Sequence, residues 1–282
     1  MTLPGAVDSL DHVGIVVRNL DEAARFVEAL GFTLTRRAAH VTADRSAGSA
    51  QRSVMFERGY VELEELADPA GPHPVAAAAR RFFGLHIVAF GVRDADAARA
   101  GVAAAGIGVG QVLHWSRAMT EPDVAGEARF SFFVGDYGAT DDSFLCWTQH
   151  RTPELLRSPR LMSHANGVRR LSGVLVATTG DGRALVERYR RCGGLPVEGA
   201  HAVRFGEGAV EVARRDELPA AMVDNAWPAP NWVAGAVLGA DDTGEIAARA
   251  RASGCLVASH AGRIYIDTRP QLGCWLVVER TA

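Results

Sequence analysis

One pattern occurs four times along this chain: an apolar strand, a short acidic turn, an alanine-rich helix, a glycine, and then further strands. LDHVGIVV (10–17) leads into NLDEAARFVEALGF (19–32), and LHIVAFGV (85–92) into RDADAARAGVAAAGI (93–107). LSGVLVAT (171–178) leads into GDGRALVERYRRCGG (180–194), and WVAGAVLG (232–239) into DDTGEIAARARASGC (241–255). A unit this short cannot bury its own apolar face, so repeats must pair. The expectation is an α+β protein of four βαβββ modules paired into two tandem domains, 1–150 and 164–282, with a linker at 151–163. The stretch 150–166, with two prolines and several arginines, breaks the pattern and serves as the connector; a second irregular stretch, 219–230, joins modules three and four.

The local grammar supports that parsing. Asp21, Asp94, Asp181 and Asp241 or Asp242 stand where helices begin, as caps or first-turn carboxylates. Leu20, Ala23, Ala24, Val27 and Leu30 make one apolar stripe. Gly31, Gly106, Gly193 and Gly254 stand where the helices stop. Strands are expected at SVMFE (53–57) and YVELEEL (60–66), then ARFSFFV (128–134) and SFLCWTQ (143–149). AHAVRF (200–205), AVEVAR (209–214), GRIYID (262–267) and CWLVVE (274–279) complete the set.

Composition narrows the function classes. The 282 residues are 48% hydrophobic and carry a net charge of -3, which supports a packed core and argues against nucleic acid. All basic residues are arginine. Met1–Asp8 shows neither the basic start nor the apolar run of a signal peptide, and no stretch is long enough to span a membrane. Cys146, Cys192, Cys255 and Cys274 form no CxxC pair, so a reducing, cytoplasmic location is expected. No phosphate-binding glycine loop or nucleotide fingerprint is present.

DHVGIVV, the following NLDEAARFVEALGF and the strand YVELEEL resemble the vicinal oxygen chelate superfamily, which includes glyoxalase I, extradiol dioxygenases and bleomycin-resistance proteins. FLCWTQHRTPELL (144–156) and SHANGVRRL (163–171) are similar to the inter-domain passage of its two-domain glyoxalase-like members. The resemblance implies a divalent metal ion held by one residue from the first strand and one from the last strand of each module. Carried over, these are His12 and Glu62, then His86 and Cys146. Two imidazoles and a carboxylate suit Fe, Mn, Co, Ni or Zn and leave positions open for two substrate oxygens. Glyoxalases place a carboxylate where this chain has Cys146: either the thiolate completes the site, water does, or proton-transfer chemistry is lost. Equally, a lone strand histidine is usually a hydrogen-bonded structural residue and a buried cysteine a small core residue.

Glu64 is a competing ligand or general base beside Glu62. Trp115, Phe130, Phe132 and Trp147 are candidates to wall an aromatic ligand pocket, and His40 and Arg52 to touch a polar ligand group. His150 and His164, flanking the linker, are expected at the surface or in hydrogen bonds. The second half offers Gly173 at the place of His12, Glu211 at that of Glu62 and Cys274 near that of Cys146. It is expected to be structural, to close a partner domain's cleft, or to bind an organic ligand without metal. The readings that follow are a metal-dependent lyase or isomerase for a small oxygen-rich or aromatic metabolite, an Fe(II) ring-cleaving dioxygenase, and a metal-free binder of a natural product. A small-molecule substrate is the expected partner; homodimers occur in the superfamily.

Overall fold

The computed structural model describes residues 7–42, 45–68, 70, 73–136, 142–224 and 226–281; 1–6, part of the stretch read for a leader, lie outside them. The repeated order is present four times. Module one is β1 (Ser9–Val16), α1 (Leu20–Ala29), β2 (Ala38–Val41), β3 (Ser46–Met55) and β4 (Tyr60–Leu66), followed by a short α2 (Ala76–Ala79). Module two is β5 (Gly84–Gly91), α3 (Ala95–Ala104), β6 (Leu113–Thr120), β7 (Ala125–Val134) and β8 (Phe144–His150). Module three is β9 (Val168–Thr178), α4 (Arg183–Arg191), β10 (Leu195–Pro196), β11 (Ala202–Phe205) and β12 (Gly208–Arg214), followed by α5 (Ala220–Val223). Module four is β13 (Asn231–Ala240), α6 (Thr243–Ala252), β14 (Val257–His260), β15 (Arg263–Asp267), α7 (Arg269–Leu272) and β16 (Trp275–Arg280).

The helices start and stop as their sequences dictate. Asn19 accepts hydrogen bonds from the N–H groups of Asp21 and Glu22, leaving Asp21 as a first-turn carboxylate, while Asp94 and Asp242 cap α3 and α6 directly. Beyond each of the four long helices lies a glycine with positive φ, Gly31, Gly106, Gly193 and Gly254, where a side chain would be strained.

The first two modules close into a barrel in the order β1-β4-β3-β2-β6-β7-β8-β5, sealed between β2 and β6 by the single pair Val41↔Ser116. Modules three and four form an open eight-stranded sheet, β10-β11-β12-β9-β13-β16-β15-β14. One continuous core joins the two. Val13, Ile15, Leu63, Val88, Phe90 and Trp147 on the barrel's outer face share it with Leu171, Val174, Val203, Phe205 and Leu238, and with α1 and α3. Phe90 stacks on Phe205 at 4.3 Å. Burial of this apolar layer is the main force holding the halves together. The connector is packed as well: Leu156 and Leu161 are buried with Met55, Tyr60, Met119 and Ala128. No described helix is long and apolar enough to cross a membrane.

A bulge at one place in every first strand sets what faces inward. Leu10 pairs with Phe90 and His12 with Ala89, leaving Asp11 unmatched; Gly14 pairs with Ile87 and Ile15 with Leu85, leaving His86 unmatched. Ser172 and Ala234 are skipped in the same way between β9 and β13. The residue after the bulge turns inward: His12, Ile87, Gly173 and Gly235.

Candidate functional site

The barrel interior holds a cavity that opens to solvent on one side. β1 and β4 supply its polar floor because they run parallel with Gly14 beside Glu62, so His12, Tyr60, Glu62 and Glu64 share the inward face. Gly14 leaves room for the Ile87 side chain, which an added Cβ would meet at 2.5 Å. From the other strands come His40, Trp115, Arg117, Phe130, Phe132, Phe144, Cys146, Thr148 and His150, and His73 with Val75 closes one side.

The ionisable groups alternate in sign. His12 donates Nδ1–H to Asp11 Oδ2 at 2.8 Å, and His150 donates Nε2–H to the same oxygen at 2.9 Å. Burial alone would raise the Asp11 carboxyl, but the two imidazoles outweigh it and hold it well below the usual carboxylate range. His12 Nε2 thereby faces the cavity, 3.9 Å from Glu62 Oε2, with its ring stacked on Tyr60 at 4.4 Å. His40 lies between the two glutamates, Nε2 at 3.5 Å from Glu62 and Nδ1 at 3.5 Å from Glu64. Burial opposes its charge, yet the paired carboxylates raise its pKa to about 9. The same pairing keeps Glu62 ionised against its own burial. His73 Nε2 has no hydrogen-bond partner, although Glu64 lies 3.5 Å away, and burial lowers its pKa.

Several residues expected together are thus found together: His12, His40, Glu62, Glu64, Cys146, Trp115, Phe130 and Phe132 all line the cavity. Three are not. His86 is the bulged residue of β5; it donates Nε2–H to the Phe82 carbonyl at 2.7 Å and packs on the Phe82 ring, away from His12. Burial pushes its pKa down to about 4. Trp147 follows Cys146 on the strand and so points outward, stacked on Phe133 with its indole N–H on the Cys192 carbonyl. Arg52 lies opposite Leu63 on the outer face and bonds the Thr35 carbonyl and Glu28. Tyr60, His73 and Arg117 were not singled out from sequence, and His150, expected at the surface or in hydrogen bonds, both bonds Asp11 and lines the cavity. His164 accepts the Thr33 N–H and donates to the Met55 carbonyl, a hydrogen-bonding role.

The four-ligand set does not fit a divalent ion. His12 and Glu62 face one another, but Ile87, not His86, stands at the position equivalent to His12. Cys146, equivalent to Glu62 through its pairing with Ala89, is pushed up to about 12 by burial and hydrogen-bonds Thr148. Among the described residues no group of three or more His, Cys, Asp or Glu is placed to hold a metal.

In the second half, Glu211 does occupy the equivalent of Glu62, beside Leu175, but both its oxygens are taken by Arg263, which also pairs with Glu279. Val277, not Cys274, stands at the place of Cys146. The concave face is filled by Trp232, Trp275 and Tyr265 with Leu218, Met222 and Ala229 from the stretch between the modules.

A glyoxalase-like domain model matches residues 10–193, well over half of the chain. No curated protein matches. Among solved structures, a hypothetical protein from Staphylococcus aureus aligns over 96% of this chain and 98% of its own, with TM-score 0.65 and 10% identity. A xylose isomerase-like TIM barrel/4-hydroxyphenylpyruvate dioxygenase fusion protein aligns over 99% of this chain and 50% of its own (TM-score 0.60, 14% identity). A mutant of 4-hydroxymandelate synthase from Streptomyces coelicolor aligns over 97% and 93% (TM-score 0.59, 15% identity). At these identities the structures share the fold.

Proposed function

The chain belongs to the glyoxalase-like family, and we propose that its N-terminal barrel is a proton-transfer site, a lyase or isomerase for a small aromatic, oxygen-bearing metabolite. The observation that carries this reading is the Asp11–His12 pair. Asp11 accepts the imidazole's Nδ1–H, which orients the ring so that Nε2 is aimed into the cavity to exchange a proton with the substrate. His12 takes a proton from the substrate and returns it to another atom; the Asp11 carboxylate stabilises the imidazolium in between. Glu62 and the charged His40 beside it present fixed opposite charges to the reacting atoms. The family's divalent metal needs two more donors beside His12 and Glu62, and Ile87 and Cys146 stand in their places. The two-histidine, one-carboxylate set of an oxygenase likewise loses His86.

The test is incubation of the chelator-treated protein with metabolite mixtures in D₂O, followed by mass spectrometry. Deuterium incorporation that His12→Gln abolishes and chelation leaves intact is expected. Turnover appearing only on adding Fe, Mn, Co, Ni or Zn overturns the reading. The aromatic enclosure by Trp115, Phe130, Phe132 and Phe144 favours a second reading, a metal-free binder. Retention of a metabolite with no exchange in wild type selects it.

A further inference from the structure

Arg117 is a buried cation with no carboxylate in ion-pair contact among the described residues, although its charge helps to keep Glu62 across the cavity ionised. It is 3% exposed, projects from β6 into the cavity, and has no ion pair among the described residues. Its one hydrogen bond runs from Nη1 to Ser53 Oγ at 3.4 Å, which is long. A guanidinium carries five N–H donors, and charges this deeply buried are ordinarily paired. Two other arginines with little exposure obey that rule: Arg188 pairs with Asp142, and Arg263 with Glu211 and Glu279. The nearest cavity carboxylates make their close contacts with His40 instead: Glu62, which also feels the Arg117 charge, and Glu64 flank it at 3.5 Å each.

The surroundings say what the missing partner looks like. Arg117 lies opposite the small Ala128, whereas Trp115, two residues before it and on the same face, lies opposite Phe130. Space beside the guanidinium is therefore bounded by aromatic rings. Trp115 and Phe130 also border an outer groove lined by Arg129, Arg151, His114 and Glu127.

We propose that Arg117 binds the carboxylate of an aromatic carboxylic acid, holding it bidentately while Trp115, Phe130 and Phe132 enclose the ring. The planar fork of arginine matches a planar carboxylate, and the low-dielectric surroundings strengthen the pair. The proposal rests on the reading of the barrel interior as the small-molecule site and names its substrate class.

Calorimetric titration of the full chain with phenylacetate, indole-3-acetate and 2-naphthoate, each against its neutral amide, tests it. At least one acid should bind tenfold or more tighter than its amide. Arg117→Gln should reduce that preference below twofold without weakening the amide, and Arg117→Lys should keep part of it. An acid preference in the wild type with no deuterium exchange into any acid leaves this proposal standing while the proton-transfer reading fails. Equal affinity for acid and amide in the wild type, no saturable binding by any acid, or a preference that survives Arg117→Gln overturns it. If Arg117→Gln does not fold, judged by circular dichroism, the wild-type comparison decides. Phenylphosphonate binding tighter than phenylacetate also overturns the assignment to a carboxylate.

Discussion

Removing Asp142 should destabilise the whole chain, because its carboxylate joins the two halves. Asp142 lies just before β8 with its side chain fully buried, and Arg188 and Tyr189 reach it from α4 of module three. Arg188 pairs with one oxygen, and Tyr189 donates to the other at 2.7 Å, where Ser143 also donates at 3.2 Å. Asp142→Ala leaves a guanidinium only 12% exposed without its counter-charge. Breaking one side of a buried pair costs about 3–5 kcal/mol. The Tyr189 hydroxyl retains Ser143 Oγ at 2.9 Å, so its loss adds little. Replacing both partners with apolar groups removes the stranded charge, so Asp142→Ala with Arg188→Leu should recover to within about 1–2 kcal/mol of wild type. Urea unfolding followed by tryptophan fluorescence and far-ultraviolet circular dichroism reads both. With one core running through both sheets, the two probes should report a single transition. A loss below about 1 kcal/mol in the single variant refutes the reasoning, as does a double variant no more stable than the single one.

Three further outcomes follow from the site. His40 has a folded pKa of about 9 against about 6.5 unfolded, so its contribution is fully present below pH 6.5 and is lost as pH rises through 9. That contribution is on the order of 3 kcal/mol, shared with Glu62 and counted once, and His40→Gln should flatten the stability profile measured by thermal melts from pH 6 to 10. His86→Ala should lower stability by about 1–3 kcal/mol, by stranding the Phe82 carbonyl, and leave ligand affinity unchanged in calorimetry; an affinity loss returns His86 to the site. Ile87→His places an imidazole at the inward position equivalent to His12 and should raise Zn(II) affinity at least tenfold over wild type, with an unchanged affinity counting against the register described above.

The architecture was legible because its signals are local and repeated: an apolar stripe and a stopping glycine recur in each module, and a capping side chain in all but the third, where α4 starts at Gly182. The site was legible only where strand parity was respected. His86 was matched to His12 by residue type, yet laying Leu10 over Leu85 already sets Asp11 against His86 and His12 against Ile87. Trp147 is similarly decided by its neighbour, since Cys146 and Trp147 cannot share a face. Arg52 needed the hairpin register that sets Ser53 against Glu62. Arg117, His73 and the position of His40 between two glutamates carry no sequence signal, because they depend on how distant strands close the barrel. The open second sheet was unreadable for the same reason: the stretch that fills it had no pattern of its own.

The bulge at Asp11, His86, Ser172 and Ala234 has a consequence for how such a chain can change. It sets the phase of each first strand, so the module's chemistry hangs on one locus, the residue that follows it. A substitution there, from histidine to isoleucine or glycine, silences a copy without disturbing the ladder on either side. A duplicated scaffold can then keep reactive groups in one copy and spend the others on packing. A single-residue deletion at the bulge would do the reverse: it would keep every other side chain of the strand while turning its inward set toward the shared core.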